Sequence, residues 1–359
     1  MRIAVLSDVH SNYIALKMVI DDAQKRGVDD FWFLGDAVGY GWQPLETLDS
    51  LGRITSMDNW VIGNHDALYA NRLHPGGFRV EAQIMMIHNR LLMDAEKKKS
   101  PTFAKLIEDR FSADSRLPKQ KYIDGTVYFL THNGFDWNKY DYYFFDTSLP
   151  TDTGRNYELF GQTSTENLLV RSWQFWRNMD SEPRVLFLGH THLPVVAYMD
   201  LEINKIVSLK VRRGVVDLKK DCKTSGTVVI NPGSVGFPKD RWHYPSYVLL
   251  DTKKRQVEFC RVMEYDYREV DQGYRAVKKN IKEYIQDGLW KPVVSNNHNG
   301  ESFTKYDIGK MVAQDYVGRI EQELLDAPHP RNDFLRPDFR KFYAGDFALD
   351  LSERIQNGN

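Results

Sequence analysis

Cysteine is scarce and long apolar runs are missing from this 359-residue chain, and each absence excludes a class of protein. The two cysteines, Cys222 and Cys260, lie far apart, so there is no disulfide framework and no cysteine-based zinc motif, which is typical of a reducing compartment. No stretch approaches the roughly 20 apolar residues that span a membrane, and the run after Met1-Arg2 is too short for a signal peptide. We therefore expect a soluble, cytoplasmic protein with no membrane partner.

A strong charge of either sign is also missing. Lys plus Arg number 48 and Asp plus Glu number 49, which gives a formal net charge of −1. This balance argues against a surface that coats nucleic acid or a membrane, so any attraction for phosphate must be local. The length allows one large domain with an appendage, or two domains.

Five short apolar runs are present, and each is followed by polar residues. The runs are 3–6, 31–34, 60–62, 127–130 and 185–188, and their β-branched and aromatic side chains predict buried strands. Because the carboxyl ends of parallel strands converge on one crevice, we expect the residues that follow them to meet. These residues are Asp8-Val9-His10, Gly35-Asp36, Gly63-Asn64-His65-Asp66, His132-Asn133 and Gly189-His190-Thr191-His192.

These residue types are the ligands that a two-metal site needs. Divalent ions about 3.5 to 4 Å apart take carboxylate, imidazole and amide ligands, with one carboxylate bridging them. Asp36 is the natural bridge, since Gly35 lets the backbone pass close to the metals. Each motif alone has a simpler interpretation, such as an Asx-type turn with His65 exposed. Five coincident strand ends favour the metal site, because the simpler interpretations would have to hold independently.

Helices are predicted around these runs. Ser11 or Asn12 can cap a helix after the first strand. Residues about 67–118 read as a helical insertion beside the crevice, in which Ser100-Pro101 opens a second helix.

The second half of the chain changes pattern. From about residue 195, short alternating runs separated by Gly, Asp and Pro predict antiparallel strands. We expect an α/β domain over 1–270, in which two sheets pack face to face between helices, and a helical C-terminal extension over 271–359.

In their order along the chain, the motifs resemble those of the calcineurin-like metallophosphoesterases: Asp-x-His, Gly-Asp, Gly-Asn-His-Asp, a single His and Gly-His-x-His. The resemblance covers roughly residues 1–270. It implies a four-layer α/β/β/α sandwich of two mixed sheets and two divalent metal ions, for which Mn, Fe, Ni and Zn all suit such ligands. It also implies that His65 serves the substrate and leaving group rather than a metal. The implied ligands are Asp8, His10, Asp36 and His192 for one ion, and Asp36, Asn64, His132 and His190 for the other.

Two further segments resemble the small bacterial and archaeal phosphodiesterase branch of this family. They are Gly39-Tyr40-Gly41 and Asn231-Pro232-Gly233-Ser234-Val235-Gly236. Protein phosphatases of the superfamily continue Gly-Asp into Asp-Arg-Gly, whereas this chain continues as Ala37-Val38-Gly39-Tyr40. The resemblance therefore favours a phosphodiesterase over a phosphoprotein phosphatase.

The expected mechanism follows from the charges and the motifs. Two divalent ions, two carboxylates and a metal-bridging hydroxide leave a net charge near +1, which attracts a phosphoryl oxygen while the hydroxide attacks phosphorus. We expect His65, paired with Asp66 or a backbone group, to protonate the departing alkoxide.

Contacts to the substrate are predicted from position alone. Asn12 and Asn64 lie in the motif loops, and Lys239 and Arg241 follow the Asn-Pro-Gly-Ser turn. Either base can bind a phosphate oxygen or form a surface salt pair. The expected substrate is a small phosphate ester or a nucleotide.

Three alternatives stay open. The same chemistry serves a nuclease, and residues 331–343 interleave bases with aromatic residues, although the Asp residues among them favour a docking tail. A nucleotide phosphatase uses the same ligands. A catalytically silent scaffold with the same fold is the alternative from another class, but the complete ligand set favours an enzyme. The sequence also leaves a homo-oligomer open.

Overall fold

The computed structural model describes residues 1–70, 78, 80–112, 119–132, 184–200, 205–211, 213–222, 227–240, 242 and 244–286. The strands in these residues are β1 (Arg2–Leu6), β2 (Asp30–Phe33), β3 (Lys119–Ile123), β4 (Thr126–Leu130), β5 (Arg184–Phe187), β6 (Pro194–Asp200), β7 (Lys205–Lys210), β8 (Gly214–Asp217), β9 (Thr227–Pro232), β10 (Ser246–Asp251) and β11 (Gln256–Arg261). The α-helices are α1 (Tyr13–Lys25), α2 (Pro44–Ile54), α3 (Asn64–Tyr69), α4 (Val80–Lys99), α5 (Pro101–Arg110) and α6 (Tyr267–Gln286).

The strands form two mixed sheets. The first has the order β2-β1-β10-β11-β8, and within it only β1 and β2 are parallel. The second has the order β3-β4-β5-β9-β6-β7, with β4, β5 and β9 parallel. The predicted α/β fold of two mixed sheets with helices is confirmed.

The two sheets share one core. Ile3 and Val5 of β1 point towards the second sheet and pack in a cluster with Val185 and Phe187 of β5. The other face of β1, with Ala4 and Leu6, packs against helices on the outside of the first sheet. Because both faces of β1 are buried, its sequence reads as an unbroken apolar run rather than an alternating one.

One expectation about the five runs was wrong in detail. The runs are divided between the two sheets: β1 and β2 belong to the first sheet, and β4 and β5 to the second. The run 60–62 forms no strand, only a single bridge between Trp60 and Phe33, because helix α3 begins at Asn64 and leaves no residues for a longer pairing. The site therefore lies where strand ends of two sheets meet.

The predicted helices are found where the chain is described. The Asn12 side chain caps α1 by accepting the N–H of Ala15 at 3.1 Å. Ser100 caps α5 by accepting the N–H of Phe103 at 3.1 Å. Helices α4 and α5 lie in the predicted insertion, and α4 packs against α2 and α6.

Helix α6 continues the fold past the expected boundary at residue 270. Tyr267 and Val270 pack against the cluster on the outer face of the first sheet. The rest of the expected C-terminal extension, 287–359, lies outside the described residues. No helix in the described part of the chain is both long enough and apolar enough to cross a bilayer.

Candidate metal centre

The loop after β1 runs alongside the loop after β2, and this pairing brings the first motifs together. The N–H of Asp8 donates to Gly35 O and the N–H of His10 donates to Asp36 O, both at 2.9 Å. The paired loops place the side chains of Asp8, His10 and Asp36 at the same end of the first sheet. The parallel register of β1 and β2 thus extends beyond the strands into the site.

The candidate ligands have an unusual backbone conformation. Five of the seven have positive φ, a region that costs an L-residue about 1 to 2 kcal/mol. Such strain clusters at functional sites because it aims side chains that regular structure would point elsewhere. The five and their φ values are Asp8 54°, His10 50°, Asp36 60°, His190 71° and His192 63°.

Close backbone contact brings the Gly-Asn-His-Asp segment against Asp36. Gly35 has φ +100°, and a Cβ on it would lie 2.5 Å from the nitrogen of Gly63. Only glycine allows this approach. The N–H of His65 then donates to Asp36 Oδ1 at 2.8 Å, which joins helix α3 to the loop after β2.

A first group of ligand atoms comes from Asp8, His10 and His192. One nitrogen or oxygen atom from each lies within 4.8 Å of the others, and all three residues are buried. His192 Nε2 is 3.3 Å from Asp8 Oδ1 and 3.1 Å from His10 Nε2. Ser7 Oγ and the N–H of His190 donate to the Asp8 carboxylate and fix its orientation.

A second group comes from Asp36, His132 and His190, and Asn64 reaches the same point. His132 Nε2 lies 3.3 Å from Asp36 Oδ2, and Asn64 Oδ1 lies 3.1 Å from His132 Nε2 and 2.9 Å from His190 Nδ1. Asp36 Oδ2 is also 3.7 Å from His10 Nε2, so one carboxylate oxygen faces both groups. The structure therefore brings all seven predicted ligands into one centre.

The chemistry of these donors fits a cation. His10 Nδ1 faces Val38 O at 3.2 Å, His192 Nδ1 faces Phe237 O at 2.5 Å and His132 Nδ1 faces Leu34 O at 2.8 Å. A carbonyl oxygen accepts, so each Nδ1 carries a hydrogen, and the neutral rings of His10 and His192 turn an Nε2 lone pair inward. His132 Nε2 faces the Asp36 carboxylate and must release its proton before it can bind a cation. The lone pairs of His10 and His192 then face each other at 3.1 Å. A cation between them would convert this repulsion into attraction.

The carboxylates at the centre are ionised. Burial alone would raise the pKa of Asp8 and Asp36, but His192 beside Asp8 and His132 beside Asp36 lower each pKa well below its usual range. Burial lowers the pKa of His132, but the Asp36 carboxylate outweighs burial and raises it to about 9.

The other three candidate imidazoles are neutral. Burial lowers the pKa of His10, His190 and His192. Electrostatic repulsion lowers each pKa further, from His65 for His10, from His132 for His190 and from Lys239 for His192. Neutral imidazole is the form that binds a metal.

His65 forms one wall of the centre. Its ring lies edge-on to His10 and to Phe78, with ring centroids 4.6 and 5.1 Å apart. The side chain is 4% exposed, burial lowers its pKa to about 4, and Nδ1 has no hydrogen-bond partner among the described residues. His65 also groups with His10 and Asp36 within 4.8 Å, so distance alone does not separate it from the ligands.

Asp66 has partners other than the expected one. Its carboxylate accepts the backbone N–H groups of Asp36, Val38 and Gly63 at 2.9, 3.2 and 3.0 Å. Burial raises its pKa to about 7, and Asp36 contributes to the rise. Asp66 thus fixes the loop that carries Asp36, and the expectation that it pairs with the His65 ring is replaced by this backbone role.

The residues predicted to contact the substrate have different surroundings. The side-chain amide of Asn12 is bonded within the protein: its hydrogens are donated to Gly236 O and Tyr265 Oη, both at 2.9 Å, and its oxygen caps α1. Lys239 lies close to the centre: its backbone N–H donates to His192 O at 3.4 Å. Its charge lowers the pKa of His10, His65, His190 and His192. Arg241 lies outside the described residues.

Several residues that support the centre had no role assigned from the sequence. Asn231 Nδ2 donates to Gly189 O at 2.7 Å, and Ser234 Oγ donates to Asp8 O at 2.8 Å, so the end of β9 and the loop after it support both metal-ligand loops. Tyr40 and Phe237 stack at 4.4 Å beside His10. The Asn231-Pro-Gly-Ser motif was the available signal for the first two, whereas an aromatic pair this far apart in sequence has none.

Known proteins are similar to this chain in sequence. A family model described as calcineurin-like phosphoesterase matches residues 1–199. The uncharacterized protein MJ0912 of Methanocaldococcus jannaschii is 27% identical over 289 residues, which is 80% of this chain and 97% of that protein. A symmetrical bis(5'-nucleosyl)-tetraphosphatase of Psychromonas ingrahamii is 36% identical over 73 residues, 20% of this chain and 26% of that protein.

A solved structure is similar over most of its length. The metallophosphoesterase from Sphaerobacter thermophilus is 26% identical, with a TM-score of 0.53, and the match covers 77% of this chain and 93% of that one. The match to the family model supports a phosphoric ester hydrolase that uses divalent metal ions. Since the family model spans more than half of the sequence, the chain belongs to the calcineurin-like phosphoesterase family.

Proposed function

We propose that this chain is a phosphodiesterase that works with two divalent metal ions. The observation that carries the proposal is the convergence of buried imidazole nitrogens and carboxylate oxygens, in which Asp36 Oδ2 faces both groups of ligand atoms. One ion would be held by Asp8, His10, Asp36 and His192, and the other by Asp36, Asn64, His132 and His190. When bound, the ions would supply an activated water and neutralise charge that develops on the phosphate.

The protein residues around the ions orient the ester. The positive charge of Lys239, which acts on four imidazoles of the centre, would attract the phosphate anion. Asp66 holds the loop of Asp36 in place through the backbone N–H groups of Asp36 and Val38. Tyr40 and Phe237 stack on each other at one side of the centre, beside His10 and His192.

His65 is the proton donor in this proposal. Its Nδ1 has no partner among the described residues and its ring lies beside both groups of ligand atoms. Burial lowers its pKa to about 4 in the protein alone, and a phosphate anion bound next to it would raise that pKa again. An alkoxide leaving group needs this proton. We favour diesters over monoesters because Gly39-Tyr40-Gly41 and the 231–236 segment resemble the phosphodiesterase branch of the family.

The test is hydrolysis of bis(p-nitrophenyl) phosphate and p-nitrophenyl phosphate by the full chain loaded with Mn²⁺. We expect turnover of the diester, about two ions per chain by metal analysis, and a loss of at least about 100-fold on Asp36→Asn. Asp21→Asn on the exposed face of α1 is the matched control and should keep full activity. Metal-loaded protein that hydrolyses neither ester would contradict the proposal.

A substrate panel decides among the alternatives. The local similarity to a tetraphosphatase makes dinucleoside polyphosphates one arm of it, with cyclic nucleotides, nucleotide monoesters and a labelled oligonucleotide as the others. Cleavage of the oligonucleotide alone would indicate a nuclease. Inactivity on every arm with both ions bound would indicate a scaffold.

A further inference from the structure

Asn89, a buried residue in the middle of helix α4, connects the helical insertion to the loops of the centre. Its side chain is fully buried. Nδ2 donates to Gly41 O and to Met85 O, each at 2.8 Å. Oδ1 accepts the N–H of Gly39 at 3.2 Å and the hydroxyl of Ser11. The two donors and two acceptor positions of the amide are therefore all used, which fixes its orientation.

Gly39, which Asn89 holds, sets the space available to two imidazoles. A Cβ on Gly39 would lie 2.6 Å from His10 Nδ1 and 2.7 Å from His65 Nδ1. The backbone at this position, with φ +138°, thus touches both rings from one side. A movement of the 39–41 turn would be transmitted directly to His10 and His65, because interiors packed this closely do not absorb displacement.

The residues on either side of Asn89 hold the same region. His88 Nε2 bonds to Trp42 O at 3.0 Å. Arg90 Nη2 donates to Leu68 O at 3.1 Å and to Tyr69 O at 2.8 Å, which are carbonyls at the end of α3. A cation at this end also interacts favourably with the helix dipole. One turn of α4 is thus hydrogen-bonded both to the 39–42 turn beside His65 and to α3, the helix that contains His65.

We propose that Asn89 is a positioning residue that fixes His10 and His65 through the backbone of Gly39. Its effect on catalysis rests on the proposed phosphodiesterase function, whereas its effect on the two imidazoles does not. Asn89 belongs to neither of the two groups of ligand atoms, and its amide bonds to Ser11, Gly39, Gly41 and Met85, so its loss should displace the rings without removing a ligand.

The kinetic test compares Asn89→Asp, Asn89→Ala and Asn59→Ala. Asn89→Asp keeps the side chain's shape but replaces a donor with an oxygen that faces two carbonyls. We expect kcat to fall about 10- to 100-fold in both Asn89 variants, as for other residues that orient metal ligands, with KM changed less than about threefold. Asn59 is the matched control: it is a buried amide bonded to Asp30 at the opposite end of β2, and its loss should leave kcat unchanged.

The structural test uses the imidazole nitrogen resonances of metal-free, ¹⁵N-histidine-labelled protein, assigned with His10→Gln and His65→Gln. The resonances of His10 and His65 should shift in both Asn89 variants and stay unchanged in Asn59→Ala. Unshifted resonances in Asn89 variants that melt like the wild type would overturn the proposal. If the wild type hydrolyses no phosphate ester, the proposed function fails, and the resonances still decide whether Asn89 positions the rings.

Discussion

Gly63→Ala perturbs the centre by adding a single carbon atom. Gly63 has φ −96° and ψ −174°, which alanine adopts without strain. A Cβ at this position would lie 2.0 Å from Asp36 Oδ1 and 2.6 Å from Asp36 Cγ. Ordinary contact begins near 3.4 Å, so the methyl group and the carboxylate must separate by about 1.4 Å, the difference between 3.4 and 2.0 Å.

Asp36 cannot absorb this displacement freely. Its Oδ1 accepts the N–H of His65 at 2.8 Å, and its own N–H donates to Asp66 Oδ2 at 2.9 Å. A misplacement of about 1 Å at a reacting centre costs about 100-fold in rate, or about 2.7 kcal/mol of transition-state stabilisation. We therefore expect kcat/KM for bis(p-nitrophenyl) phosphate to fall about 100-fold in Gly63→Ala, with fewer than two ions retained per chain.

Gly52→Ala is the control for this experiment. Gly52 lies inside helix α2, and a Cβ there would meet only the Cδ1 end of Leu106, at 2.9 Å, which can rotate away. Alanine in a helix interior stabilises by up to about 1 kcal/mol relative to glycine, so this variant should keep its activity and melt no lower than the wild type. Wild-type activity and metal content in Gly63→Ala would refute the steric reasoning.

Two further predictions concern protons. His65→Ala should keep both ions by metal analysis, and its rate should fall about 100-fold or more for a diester with an alkyl leaving group but much less for p-nitrophenolate, which departs without a proton. An equal loss for both leaving groups would mean that His65 does not supply the proton. Metal binding must also displace the proton that His132 holds with its pKa of about 9. The logarithm of metal affinity should therefore rise by about one per pH unit between pH 6.5 and 8.5 and level off above pH 9; calorimetric titrations with no such slope would contradict this.

The residues of the centre could be predicted from the sequence because each follows an apolar run. Strand burial is a strong pattern, and Asp8, Asp36, His132 and His190 all lie within a few residues of such a run. The Asn12 cap and the Ser100 cap were readable for a similar reason, since capping depends on neighbours three residues away.

Contacts between segments that are distant in the sequence could not be predicted in this way. The assignment of the runs to two sheets depends on the pairing of β1 with β10, which lie about 245 residues apart. The role of Asp66 depends on two backbone N–H groups of a different loop, and that of Asn89 on a turn roughly 50 residues upstream. Residue type and spacing carry no information about such partners, because hydrogen bonding by Asn or Asp is compatible with many of them.

The strained backbone of the centre explains why these distant contacts matter. Non-glycine residues keep a positive φ only where several surrounding contacts hold the backbone in place. Asp8, His10 and Asp36 all have a positive φ. The paired loops supply part of that constraint through the N–H groups of Asp8 and His10. Helix α4 supplies another part through Asn89, which bonds both Ser11, the residue after His10, and Gly39, the turn that follows Asp36. The helical insertion is thus part of what holds the ligands in place, and a variant that loosens α4 should disturb the centre before it unfolds the sheets.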